Sequence, residues 1–137
     1  MFWINSGSSK AIMSSWMNGK DIKVLVHTNL GSPVGLAIDY YMNNRIFWCD
    51  ERAHYIESVK FDGSDRVKIE HAGLSSPFKI DIFENHIYWL SREYGLVNKV
   101  DKFGRGGLIK LVEGLDLTSD LKVYHSLKVP KSNSNFT

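Results

Sequence analysis

The side chains best suited to acid–base chemistry at neutral pH are five histidines, His27, His54, His71, His86 and His125. Histidine ordinarily changes its charge between pH 5 and 8, so these residues could form a pH switch. Four of the five fall at predicted strand ends or turns, where a solvated loop histidine is the simpler interpretation. The sequence contains no His-Glu-x-x-His motif and no cysteine pair, and it therefore predicts neither a metal site nor a cofactor.

Other motifs that could support catalysis have simpler structural explanations. Cys49 lies on a predicted buried strand, which favours an inert core thiol over a nucleophile. The segment Asp62-Gly63-Ser64-Asp65 resembles the start of a calcium loop, but a hairpin turn explains it better because the later bidentate Glu is missing. The glycines of 104–107 fail the dinucleotide fingerprint, since Ile109 occupies the third glycine position. No serine lies in a nucleophile elbow, so we predict no catalytic residue.

Length and composition define the class of protein that these residues belong to. A chain of 137 residues and 15.6 kDa is enough for one ordinary domain. Its 43% hydrophobic and 23% charged residues exclude wholesale disorder. The net charge of +2 is spread along the chain, which argues against nucleic acid as a partner. No apolar stretch approaches the roughly 18 residues of a membrane span, and the first residues lack the features of a signal peptide.

A threefold internal repeat is the strongest pattern in the sequence. An aromatic residue followed by Trp recurs roughly every 43 residues. Each pair is followed by an aliphatic residue, a turn glycine seven positions later and, 11 positions after that glycine, a leucine. The aromatic pairs are Phe2-Trp3, Phe47-Trp48 and Tyr88-Trp89, and the glycines are Gly19, Gly63 and Gly104. The chain therefore divides into repeats at about 1–45, 46–86 and 87–126.

Within one repeat, the apolar residues alternate with a period of two, as in strands. Leu36 and Ile38 alternate with polar or small residues. The pairs Asn18-Gly19 and Asp62-Gly63 predict two-residue hairpin turns in which both residues have positive φ. Four short antiparallel strands in about 40–45 residues are typical of one propeller blade. We expect complete blades at about 34–74 and 78–115, a three-strand partial blade before them and a lone strand at 121–123 after them.

The repeat resembles the class B, or Tyr-Trp-Thr-Asp, repeat of the low-density lipoprotein receptor family. The resemblance rests on Phe47-Trp48-Cys49-Asp50, Tyr88-Trp89-Leu90-Ser91, Phe2-Trp3-Ile4-Asn5, residues 33–39 and Asp62-Gly63-Ser64-Asp65-Arg66. It implies an all-β fold, a partial arc of about three blades from a six-bladed propeller, over residues 1–129. Residues 130–137 form a polar tail. The motif's Asp survives only as Asp50 and its turn Arg only as Arg66, with Gly107 at the equivalent place in the third copy.

The resemblance also implies a function. It indicates a non-catalytic module in the extracellular part of a plasma-membrane or endosomal receptor, which docks protein ligands and releases them as pH falls. Its partners would be those ligands, together with neighbouring blades or cysteine-rich modules of a longer chain. The alternative is a metal-dependent lactonase or esterase on a six-bladed propeller. Asp39 and Asp81 on the innermost strands are out of register for a shared metal, which favours binding over catalysis.

Several positions have expected roles within this arrangement. The aromatic-Trp pairs are expected to pack between blades rather than to contact ligand. Trp16 stands where the other copies have Lys60 and Asp101, so it is either an exposed contact residue or part of edge packing. Asn135 begins a glycosylation sequon, which has meaning only if the chain is secreted. An arc of about three blades leaves its two end faces uncovered, each with exposed apolar side chains, and we therefore expect that the chain alone is not a stable monomer.

Overall fold

A computed structural model describes residues 1–41, 44–69, 75–116, 120–125 and 127–128. In these ranges the regular elements are β-strands, arranged as three antiparallel sheets in chain order. The first sheet contains β1 (Phe2–Asn5), β2 (Ala11–Ser14) and β3 (Lys23–Val26). The second contains β4 (Pro33–Asp39), β5 (Arg45–Asp50), β6 (Tyr55–Lys60) and β7 (Val67–Ile69). The third contains β8 (Pro77–Phe83), β9 (His86–Ser91), β10 (Leu96–Asp101) and β11 (Ile109–Val112).

This architecture confirms the all-β prediction and the expected order of one three-stranded sheet followed by two four-stranded sheets. Two four-stranded sheets, hereafter blades 2 and 3, follow a three-stranded sheet, blade 1, that lacks its innermost strand. Strands pair in the order of the chain, so each blade is a meander of neighbouring hairpins. The described segments include no helix of the length and apolar character that a membrane crossing requires.

The predicted lone strand at 121–123 is wrong. The backbone there is not in a strand, although the segment lies against β8, where the Val123 N–H donates to an Asp81 carboxylate oxygen at 2.7 Å. An innermost strand depends on hydrogen bonds to the second strand of its own blade. The described residues after 123 instead form a turn, in which the Lys128 N–H donates to the His125 carbonyl at 2.9 Å. The alternating pattern alone is therefore not enough to make a strand here.

The hairpin turns differ from the prediction in type. Gly19, Gly63 and Gly104 have φ of 77°, 87° and 73°, but Asn18 and Asp62 are not in the positive-φ region. The glycine N–H groups donate at 2.9–3.0 Å to the carbonyls three residues back, those of Trp16, Lys60 and Asp101. This is a type I turn ending in a left-handed glycine. The Asn18 and Asp62 side chains accept from the backbone two residues on, which favours this turn over the tighter one.

The hydrophobic core lies between the sheets, and the tryptophans of blades 2 and 3 enter it in the same direction along the chain. Trp48 of blade 2 is fully buried in a cluster with Ile12 and Val26 of blade 1. Trp89 of blade 3 is fully buried in a cluster with Phe47 of blade 2. Each of these Trp side chains therefore packs against the blade that precedes it in sequence, because side chains alternate faces along a strand.

Close approach of the innermost strands β4 and β8 depends on Gly35. A Cβ atom at this position would lie 2.8 Å from the Cys49 Sγ and 3.1 Å from the Ile80 backbone nitrogen. The first distance is far below ordinary contact, the second is tighter than most Cβ contacts, and a backbone nitrogen cannot move aside cheaply. A glycine here lets neighbouring blades converge toward the centre of the arc.

Candidate functional site

Asp50, the last residue of β5, holds the segment between β3 and β4 in place. This segment leads from blade 1 into blade 2 and is hereafter called the crossing. Its buried carboxylate accepts hydrogen bonds from the backbone N–H groups of Gly31 at 2.7 Å, Ser32 at 2.8 Å and Ala53 at 2.9 Å. Hydrogen bonds to an ionised carboxylate are among the stronger ones in proteins. Ser91 is the equivalent residue in blade 3 and makes fewer hydrogen bonds. Its hydroxyl donates to the Ser75 carbonyl at 2.6 Å.

Arg66 links blade 2 to the segment that leads out of blade 1. Its contact with Glu57 is hereafter called the clamp. Its guanidinium donates to the Glu57 carboxylate at 2.5 Å and to the Thr28 carbonyl of the preceding crossing at 2.8 Å. The same group lies 5.5 Å from the centre of the Trp48 ring. The repeat pattern singles out Arg66 but gives Glu57 no role. The signal that could have found Glu57 is a carboxylate between the apolar residues Ile56 and Val59 of strand β6.

Blade 3 lacks this clamp. Asn98 pairs with Trp89 across β9 and β10 as Glu57 pairs with Trp48 in blade 2, so Asn98 stands in the place of Glu57. Gly107 stands in the place of Arg66. Asn98 is 2% exposed, and its side-chain oxygen has no hydrogen-bond partner among the described residues. A Cβ at Gly107 would meet nothing within 4 Å, so a side chain there has room.

Rebuilding the clamp in blade 3 is expected to couple positions 98 and 107. Asn98→Glu alone should lower the free energy of unfolding by about 3–5 kcal/mol, because it buries a carboxylate without a partner. Adding Gly107→Arg should recover part of this loss, through a coupling energy of about 0.5–3 kcal/mol. Urea unfolding of the wild type, both single variants and the double variant measures the cycle. Purely additive effects would show that the introduced guanidinium does not reach the side chain at position 98.

A buried ion pair connects blades 2 and 3 near the centre of the arc. The Lys102 ammonium, in the β10–β11 turn, lies 2.5 Å from the Asp39 carboxylate at the end of β4. The two side chains are only 2% and 5% exposed. Asp39 also accepts from the Tyr41 N–H at 3.1 Å. This carboxylate is therefore a structural partner and not a free ligand in the channel.

Asp81, the other innermost carboxylate, has separate partners. It lies 2.5 Å from the Lys128 ammonium and accepts from the Val123 N–H. Asp39 and Asp81 thus each hold a different segment in place. Within the described ranges, no three His, Cys, Asp or Glu side chains come together as a metal site would require.

The remaining residues that could react or bind an ion also have structural roles. Cys49 is fully buried, as predicted, and burial raises the pKa of its thiol to about 12, so it stays protonated at neutral pH. Asp62 accepts from the Ser64 N–H and hydroxyl within its turn. Hydrogen bonding and charge from Arg45, 2.7 Å away, hold the pKa of Asp65 below its usual value. Both carboxylates of the calcium-like segment therefore serve the hairpin.

Two histidine rings accept backbone hydrogen bonds. His54, in the β5–β6 turn of blade 2, accepts at Nδ1 from the Ser76 N–H at the start of blade 3, at 3.1 Å. His125 accepts at Nδ1 from the Leu127 N–H at 3.2 Å, and its ring stacks on Phe83 with centres 4.5 Å apart. A protonated ring nitrogen cannot accept, so both contacts require an unprotonated Nδ1. His27 is exposed after β3, His86 begins β9, and His71 lies outside the described residues.

The aromatic positions divide into buried and exposed groups. Trp48 and Trp89 are fully buried, and Phe47 is 2% exposed. Phe2, Trp3 and Tyr88 are half-buried. Trp16 is 65% exposed, and its indole N–H donates to the Asp21 carboxylate at 2.9 Å, which lowers the pKa of Asp21. The structure therefore places Trp16 at the surface, where it is hydrogen-bonded to Asp21. Asn135 lies outside the described residues.

Comparisons with known proteins agree with this geometry. Residues 1–40 match the family model of the low-density lipoprotein receptor repeat class B. The chain is 34% identical to the vitellogenin receptor of Solenopsis invicta over 75% of its own length, which is 6% of that protein. It is 28% identical to vitellogenin receptor Yl of Drosophila melanogaster over 96% of its length, which is 7% of that protein.

A human protein and a solved structure are also similar to the chain. Human low-density lipoprotein receptor-related protein 5 is 31% identical over 63% of the chain and 5% of that protein. A chain in the crystal structure of a nidogen/laminin complex superposes with a TM-score of 0.72 and 26% identity, over 82% of this chain and 43% of that one. The chain thus spans a small part of each curated relative. Its fold is that of a partial β-propeller, and its residues 1–40 match the class B repeat of the low-density lipoprotein receptor.

Proposed function

We propose that the chain is a non-catalytic module of a receptor ectodomain that docks protein ligands outside the cell. The observation that supports this most directly is how its buried polar groups are used. Asp50, Arg66 and the Asp39–Lys102 pair each hold one blade or crossing against another, and they do not converge on a common reaction centre. The curated relatives are receptors, and the structural relative was solved in a complex of two proteins.

We also propose that ligand release is pH-dependent and that His54 contributes to it. Its Nδ1 accepts a hydrogen bond across the boundary between blades 2 and 3. The same boundary carries an ion pair between Glu51 and Arg92 at 3.3 Å. A proton on Nδ1 removes the acceptor, and the cross-blade hydrogen bond is then lost. We therefore expect the boundary to be tighter when the imidazole is neutral.

Binding to immobilised chain tests both parts of the proposal. Purified vitellogenin and laminin serve as the probes, because the relatives' names point to them, and serum albumin serves as the control. We expect saturable binding of at least one probe at pH 7.4 and faster dissociation at pH 5.5. His54→Gln keeps a neutral side chain at both pH values and should reduce the pH effect, whereas His27→Gln should preserve it.

The enzymatic alternative predicts a different result. A lactonase or esterase would hydrolyse a lactone or ester substrate and would lose that activity when a chelator removes its metal. Chelator-sensitive hydrolysis, together with no binding of either protein probe, would overturn the docking proposal. Binding that is unchanged between the two pH values would leave docking intact and overturn pH-dependent release. A pH effect that His54→Gln leaves undiminished would overturn only the role of His54.

A further inference from the structure

The interface that holds one blade on the next occurs twice in the arc, and both of its halves are exposed again at the ends. Each blade has a leading face, which carries its tryptophan and packs on the preceding blade, and a trailing face, which receives the tryptophan of the following blade. Trp48 and Trp89 are buried in the two internal interfaces. Among the described residues, no blade covers the leading face of blade 1 or the trailing face of blade 3.

The leading face of blade 1 is apolar where that of blade 2 is charged. Trp3 pairs with Met13 across β1 and β2, just as Trp48 pairs with Glu57 across β5 and β6. A thioether therefore stands in the place of the clamp carboxylate. Trp3 and Met13 are half-buried, and Val24, the next residue of this row on β3, is 54% exposed. An exposed apolar row with a flexible methionine suits another apolar protein surface.

The trailing face of blade 3 is apolar at the positions that are buried in blade 2. In blade 2 the paired residues Ile56 and Ile69 are 0% and 5% exposed, because Trp89 of blade 3 packs in the same cluster. The equivalent pair in blade 3 is Val97 and Val112. Val97 is half-buried and Val112 is 46% exposed. Blade 3 thus presents an apolar site of the kind that receives a tryptophan face.

One contact at the turns differs between the two internal interfaces. It is made by the residue two positions before each turn glycine, which reaches the preceding blade. At the first interface this residue is Phe61, whose ring centre lies 4.8 Å from that of Phe2. At the second it is Lys102, whose ammonium lies 2.5 Å from the Asp39 carboxylate. Each turn residue therefore matches its contact in chemistry, apolar with apolar and cation with anion.

The exposed ends match each other by the same rule. The corresponding turn residue of blade 1 is Met17, which is 84% exposed. On blade 3, Tyr88 stands in the place of Phe2, because both precede the tryptophan of their blade. Phe83 stands in the place of Asp39, because both end an innermost strand. Methionine packs favourably on aromatic rings. This match favours blade 3 of a second copy as the surface that covers blade 1.

Backbone groups at the two ends are complementary as well. β1 is at the edge of its sheet, so one side of it presents N–H and C=O groups that no described strand pairs with. The segment 121–123 lies against β8 through the hydrogen bond from Val123 to Asp81, and its Leu121 and Val123 alternate as in an innermost strand. It lacks a second strand to pair with. β1 of another copy supplies that strand, and the segment supplies the innermost strand of blade 1.

We propose that the chain binds a second copy of itself head to tail. The leading face of blade 1 in one copy packs on the trailing face of blade 3 in the other, and segment 121–123 pairs with β1. The proposal goes beyond the docking function and does not depend on it. Because two different surfaces meet, the interface is heterologous and leaves one surface of each kind free until a ring closes.

Analytical ultracentrifugation of the full chain over a range of concentrations measures the association. We expect the wild type to form a dimer or a larger assembly of the 15.6 kDa chain. Met17→Asp places a carboxylate on the leading face and Val112→Asp places one on the trailing face. Each should weaken association at least about tenfold, which corresponds to about 1.4 kcal/mol. Val67→Asp is the control, since Val67 is 44% exposed on the middle blade, and it should associate like the wild type.

Mixing the two variants tests the head-to-tail geometry. Each variant alone lacks one half of every interface. In an equimolar mixture, the intact trailing face of the Met17→Asp chain meets the intact leading face of the Val112→Asp chain, and a heterodimer should form. Recovered association also shows that both variants are folded. Amide hydrogen exchange in segment 121–123 and in β1 should then be slower than in either variant alone.

Three results would overturn the proposal. The first is a wild type that stays monomeric at every concentration, which would leave the two faces to further blades of a longer chain. The second is undiminished association of Met17→Asp or Val112→Asp, since a symmetric or unspecific contact would survive one of these changes. The third is a wild type that associates while the mixture of variants stays monomeric or segment 121–123 stays unprotected from exchange.

Discussion

Lys102→Met is expected to lower the free energy of unfolding by about 3–5 kcal/mol. The substitution removes the partner of Asp39, whose side chain is only 5% exposed, and leaves a buried carboxylate without its countercharge. A typical domain has a total stability of about 5–15 kcal/mol, so this one change removes a large share of it. Urea unfolding followed by far-UV circular dichroism, at low protein concentration to limit self-association, measures the effect.

Two controls separate the lost charge partner from lost packing. Asp39→Leu combined with Lys102→Met replaces both charges with apolar side chains and should be close to wild type or more stable. Lys23→Met removes a lysine whose side chain is 62% exposed, from a surface pair with Asp21, and should leave stability unchanged. A double variant as unstable as Lys102→Met would mean that the loss comes from packing and not from the unpaired carboxylate.

Trp89→Ala is expected to cost about 3–5 kcal/mol. The indole is fully buried between blades 2 and 3, in the cluster that contains Phe47 and Val100. Alanine would leave a cavity between two sheets that the rigid strand pairing cannot close. The unfolding midpoint in urea, again followed by circular dichroism, should fall strongly.

The matched control for this variant is Trp16→Ala. It removes the same side chain from a position that is 65% exposed, in the β2–β3 turn. Its effect should stay within the surface range of about 0.5 kcal/mol. If the two variants lost similar amounts of stability, the distinction between inter-blade and exposed tryptophans would be wrong.

The parts of this fold that the sequence predicts are those that repeat. The aromatic-Trp pairs recur because each blade must place one Trp against the blade before it, and Trp48 and Trp89 are accordingly buried. Gly19, Gly63 and Gly104 recur because each turn needs one residue at positive φ. Requirements imposed once per blade leave a periodic signal, so the all-β class and the number of blades can be predicted from the sequence.

The parts that could not be predicted occur only once. Asp39 and Lys102 are 63 residues apart and occupy different positions of their repeats, so no period connects them. Their contact follows from how two blades pack, which a pattern along one chain does not encode. The strand expected at 121–123 was wrong for a related reason, because a strand needs hydrogen-bonding partners as well as alternating side chains.

The constant direction of tryptophan packing has a consequence for the order in which the chain folds. Blade 2 contributes Trp48 to a surface that blade 1 has already formed, and blade 3 does the same on blade 2. During synthesis the N-terminal part of the chain leaves the ribosome first, at about 5–20 residues per second. We therefore expect the blades to form in chain order, with each new tryptophan strand packing on the blade that left the ribosome before it.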